Sequence, residues 1–150
     1  MPSKMSPRTA ILVGGLLAGA IDIGAACLIT GKDFVYICQT IAGGLLGRST
    51  FDGGCRTTLL GFALQEVMAL LIAAIFYAIS QWLPRLTRNW IAAGLGYGAI
   101  VFFVMNYAVV PLSAWHRVPH FGVKSFTENM IAMLVFGLIL AFFRAAPRSA

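Results

Sequence analysis

Apolar residues run through this chain in four long stretches, at about 10–30, 57–80, 90–112 and 125–143. Turn-formers and single basic residues bound them: Gly31-Lys32-Asp33 after the first, Pro84 and Arg85 after the second, Pro111 late in the third, Arg144 after the fourth. About 20 apolar residues in a helix, at ~1.5 Å per residue, cross the hydrocarbon core of a bilayer. The pattern therefore predicts four transmembrane helices. A fifth apolar run, 34–47 (FVYICQTIAGGLLG), would reach only about 21 Å as a helix, short of the ~30 Å core. It is expected to be re-entrant or interfacial. The expected fold is all-α: one transmembrane domain over 1–150, a bundle of four transmembrane helices with a short helix between the first and second.

Local signals sharpen the ends. Trp82 and Trp90 flank the connection after the second run, as interfacial anchors do. The polar, glycine-bearing stretch 48–56 (RSTFDGGCR) reads as a loop. Ser125 and Glu128 have the S-x-x-E spacing of a capping box, which favours a helix start at Ser125.

Composition agrees with a membrane protein. Hydrophobic residues make up 59% of the 150 and charged residues only 11%, against about 25% charged in soluble domains. The net charge of +6 does not indicate nucleic acid, because the basic residues stand singly at the ends of apolar runs rather than in a patch. With cytoplasmic termini, Lys4, Arg8, Arg85, Arg88, Arg144 and Arg148 lie inside, and Lys32, Arg48, Arg56, Arg117 and Lys124 lie outside. That small excess favours termini in the cytoplasm of a bacterial inner membrane. The basic start resembles a signal peptide, but its apolar run exceeds the usual ~7–15 residues and contains Asp22, so an uncleaved span is expected. Cys27, Cys38 and Cys55 include no C-x-x-C pair; Cys38 and Cys55 fall on one side, where a bridge would need an oxidising compartment.

The chemistry rests on a few polar residues inside the spans. Measured from the outer ends of their helices, Asp22 lies about 12 Å deep, Glu66 about 13 Å, Asn106 about 9 Å, and Glu128 and Asn129 about 5–6 Å. Intramembrane acids are costly and normally face a bundle interior or a wet cavity. Asp22, Gln65, Glu66, Asn106 and Asn129 are therefore the candidate lining of a small polar pocket in the outer half, with the 34–47 segment as its roof. The same residues could equally serve as interhelical glue, with Asp22 accepting hydrogen bonds from Gln65 or Asn106. Glu128 reads more simply as a cap.

Three G-x-x-x-G pairs, Gly15/Gly19, Gly43/Gly47 and Gly94/Gly98, predict close helix packing, within the chain or between chains. His116 and His120 are four apart, but Pro119 between them opposes a regular helix, so they are weak metal ligands. No H-E-x-x-H, G-x-S-x-G or Walker-type motif occurs, and no cofactor is expected.

Three stretches, GGLLAGAIDIG (Gly14–Gly24), QTIAGGLLGRSTFDGG (Gln39–Gly54) and NYAVVPLS (Asn106–Ser113), resemble a group of small uncharacterised bacterial inner-membrane proteins with four predicted spans. The likeness covers most of the chain. It implies the four-span topology and a bacterial origin, and no chemistry. Three functions follow as expectations: a binding or transport-like module for a small molecule, an assembly subunit docking through its glycine faces in a homo- or hetero-oligomer, and, least favoured, a membrane enzyme using Asp22 or Glu66 as acid or base. The lipid bilayer is the one partner that the composition requires.

Overall fold

The computed structural model describes residues 6–145. Among these, all regular structure is helical. Helix α1 (Pro7–Thr30) starts at Ser6, whose Oγ accepts from the Thr9 N–H at 3.2 Å, with Pro7 in the first turn. It stops at Gly31, which takes φ 66° and donates its N–H to the Cys27 carbonyl. Asp33 then caps α2 (Phe34–Leu46) through the Tyr36 N–H at 2.9 Å. Next come a 3₁₀ turn (Gly47–Asp52), α3 (Gly54–Trp82), a single turn at Arg85–Arg88, α4 (Trp90–Leu112) and α5 (Val123–Ala145).

Four of these helices, α1, α3, α4 and α5, are long and apolar enough to cross a membrane. Many of their large apolar side chains point outward. Leu59, Val67, Ile100 and Phe103 are all exposed, as lipid rather than water would require. The short helix α2 lies between the first and second spans. Its 13 residues cover only about 20 Å. It runs antiparallel to the first half of α3: the Phe34 ring meets the Phe62 ring, and Gln39 reaches Gly54 and Thr57.

Helix α1 is the centre of the bundle, packed on α3 along one side and α5 along the other, while α4 packs on α5. The seams are made of small residues. Gly15 and Gly19 face Leu70, Ala69 and Ala73 of α3, and a Cβ on Gly19 would lie 2.9 Å from that of Ala69. Gly94 and Gly98 face the backbone of α5, where Gly137 completes the contact. Ala18, Ala69, Ala73, Phe76, Phe136, Leu140 and Ala141 form the buried core between them. Ala10 near the start of α1 and Arg144 near the end of α5 border the same recess, so the two ends of the described residues lie at one end of the bundle. There Arg144 Nε donates to the buried Ser80 Oγ at 2.6 Å, with its guanidinium 4.5 Å from the Tyr77 ring centre.

Several local expectations change. The stretch 48–56 is not all loop, because the 3₁₀ turn occupies most of it and α3 begins at Gly54. Helix α5 begins two residues before Ser125, with the Phe126 N–H already bonded to the Gly122 carbonyl at 2.8 Å. Ser125 is thus inside the first turn and forms no capping box. Glu128 instead pairs with Lys124 at 3.8 Å. Gly47 takes φ 65° at the end of α2 with no atom near its missing Cβ, so it ends a helix rather than packing one. All three cysteines are free.

Candidate functional site

Two acids sit where α1 meets α3. The Asp22 carboxylate accepts a hydrogen bond of 2.8 Å from Gln65 Nε2. The neighbouring Glu66 is buried, and neither of its carboxylate oxygens has a hydrogen-bond partner among the described residues. Those oxygens rest against Gly19: a Cβ built there would lie 3.0 and 3.1 Å from them. Gly19 therefore serves both the helix seam and the space that holds the carboxyl. An intramembrane acid in such a setting needs a proton, a donor or a cation beside it.

A larger feature lies beside Gln65. Helices α3 and α4 touch at Tyr97, whose hydroxyl donates to the Ile72 carbonyl at 2.7 Å and whose ring packs on Phe76. Toward the end away from the termini the two helices part. They leave a crevice of about 1300 Å³. Leu64, Gln65 and Met68 form its α3 wall, a single face by their i, i+1, i+4 spacing. Met105, Val109 and Val110 form the α4 wall.

Local chain chemistry shapes both walls and the roof. Around Met105–Val109 helix α4 widens into a π turn, with the Val110 N–H reaching back to the Met105 carbonyl. Pro111, just beyond, has no N–H to offer the preceding turn. Such π turns are frequent at functional sites. The roof consists of α2 and Ser113–Trp115, and the exposed His116, Arg117 and His120 rim the mouth. Trp115 pins the roof together: its indole N–H donates to the Thr40 carbonyl at 3.1 Å, and its ring lies on Gly43, where any side chain would collide. The Ala114 N–H adds a 2.8 Å bond to the Gly44 carbonyl. Beneath α2, the buried Thr50 Oγ1 donates to the Gln39 carbonyl at 2.9 Å, and Gln39 Nε2 reaches Gly54 and Thr57.

The five candidate pocket residues do not all meet. Asp22 and Gln65 are bonded, Glu66 is adjacent, and Gln65 is part of the crevice wall. Asn106 Nδ2 instead donates to the Phe102 carbonyl at 2.9 Å, and Asn129 Nδ2 to the Ser125 carbonyl at 2.8 Å, each within its own helix. Neither borders the crevice. His116 and His120 lie in the loop at its mouth, His116 at φ 46°. Among the described residues no three His, Cys, Asp or Glu side chains cluster as a metal site would require.

The sequence reading did not single out Tyr97, Trp115, Gln39 or Thr50. Tyr97 carried a signal in retrospect, as a phenol inside a glycine-rich apolar run needs an acceptor for its hydroxyl. No protein-family model matches the chain, and comparison with curated proteins and with solved structures finds no match.

Proposed function

We propose that this multi-pass membrane protein binds a small molecule in the crevice between α3 and α4, as a binding or transport-like module. The observation that carries this reading is the crevice itself. It is about 1300 Å³, with Gln65 in its wall held by Asp22. It is somewhat larger than the ~300–1,000 Å³ typical of small-molecule sites, and it is mostly apolar with a few placed polar groups, as those sites are. The charge tally and the sequence resemblance support a bacterial inner membrane with cytoplasmic termini, which turns the crevice toward the outer face. The use of Gly15, Gly19, Gly94 and Gly98 within the chain favours binding over docking onto another protein through those faces.

The test is native mass spectrometry of the full-length protein released gently from its membrane. A stoichiometric small molecule is expected on the wild type and lost from Val109→Trp, which fills the crevice from the α4 wall. Bare protein, or a second polypeptide with no small molecule, would overturn the reading.

A further inference from the structure

We infer that the occupant is a membrane lipid with an anionic headgroup, its acyl chain between α3 and α4 and its headgroup at Arg117. This rests on the binding reading above and names the ligand class for the same crevice.

Two features of the site specify that chemistry. The walls contributed by Leu64, Met68, Met105 and Val109 are apolar. They belong to two membrane-spanning helices that part from one another. An acyl chain matches such walls, and it reaches a gap between spans without leaving the bilayer. The mouth is of the opposite character. His116, Arg117 and His120 border it, and no acid lines any part of the crevice. Arg117 is exposed and stacked 5.4 Å from the Trp115 ring centre, with no carboxylate partner among the described residues. Trp115 is itself fixed to α2 through Thr40 and Gly43. The guanidinium is therefore held at the mouth while its donors stay available, and its planar fork suits a phosphate oxygen pair. The two imidazoles add polar groups beside it. A zwitterionic headgroup offers the same phosphate but carries a cation of its own, so an anionic headgroup is the one whose net charge Arg117 offsets.

The full-length protein is reconstituted in nanodiscs of dioleoylphosphatidylglycerol and dioleoylphosphatidylcholine in equal amounts. Retained lipid is then counted by native mass spectrometry. The wild type is expected to keep about one phosphatidylglycerol in preference to phosphatidylcholine. Arg117→Gln should lower that preference roughly fivefold, the effect of one basic residue near an anionic headgroup. Lys32→Gln removes the same charge outside the crevice lining and should leave the preference unchanged. Equal retention of both lipids by the wild type would overturn the anionic assignment while the binding reading stands. A preference that survives Arg117→Gln, or falls equally in Lys32→Gln, would also overturn it. Retention of neither lipid, with no other small molecule bound, would overturn both.

Discussion

Tyr97 and Ile72 tie α4 to α3: the phenol donates to the backbone carbonyl at 2.7 Å. Ile72 lies one helical turn from Met68, at the foot of the crevice wall. This bond closes one end of a gap that is open at the other. Tyr97→Phe keeps the ring against Phe76 and removes only the hydroxyl. It should cost about 0.5–1.5 kcal/mol, the net value of one hydrogen bond. Tyr97→Ala also removes the ring packing and should cost roughly 3–5 kcal/mol. Unfolding of both variants in mild detergent measures the difference. Equal losses would show that the hydroxyl, not the ring, carries the contact.

The Asp22–Gln65 bond is another cross-link between spans, joining α1 to α3 at 2.8 Å. Asp22→Leu and Gln65→Leu each remove one partner, and the pair together removes both. A double-mutant cycle should return a coupling of about 0.6 kcal/mol, with ~1.7 kcal/mol as the upper end seen for bonds between membrane helices. Zero coupling would mean that the two side chains do not meet in the bilayer.

Glycine positions give the sharpest contrast in stability. A Cβ on Gly61 would run into the backbone carbonyl of Cys38, which cannot move without shifting α2. Gly24 has no heavy atom beyond its own helix backbone, among the described residues, within 4 Å of where its Cβ would stand. Gly61→Ala should therefore destabilise by about 1–3 kcal/mol or more. Gly24→Ala should stabilise by up to about 1 kcal/mol through helix propensity. Thermal unfolding of the two single variants reads both signs, and destabilisation by Gly24→Ala would contradict the packing described for α1.

Much of this architecture was legible in the sequence because its causes are local. Run length and end signals gave the four spans and the short α2. The pairs Gly15/Gly19 and Gly94/Gly98 marked real seams. Lateral order was not legible. In a bilayer all faces of a span are apolar, so periodicity does not say which face meets which neighbour. Depth alone placed Asn106 and Asn129 in the same outer half as Asp22. A shared half is not a shared face, and both asparagines bond to carbonyls of their own helices. The crevice was illegible for a related reason. It depends on where α3 and α4 part, and on Trp115 meeting Gly43 across 72 positions of sequence. No local pattern encodes such a meeting. Gly43 was legible as a small residue at a close approach, but its partner is an indole ring rather than a helix.

The cysteines offer a test of both the roof and the orientation. Cys38 is buried under α2's contact with α3, and Cys55 is exposed at the start of α3. A maleimide should therefore label Cys55 readily in the folded protein and reach Cys38 only on unfolding. Thr50→Val removes the hydroxyl that donates to the Gln39 carbonyl beside Cys38. It should cost about 1–3 kcal/mol, as when a buried hydrogen-bond partner is lost, and should speed Cys38 labelling. Cys55 also reports sidedness, because it lies at the end of the bundle away from the termini. With cytoplasmic termini, a membrane-impermeant maleimide added to sealed, right-side-out vesicles should modify Cys55. Protection there, with labelling only in inverted vesicles, would reverse the orientation and turn the crevice mouth and Arg117 toward the cytoplasm. The crevice would remain, but its lipid would have to come from the inner leaflet rather than the outer.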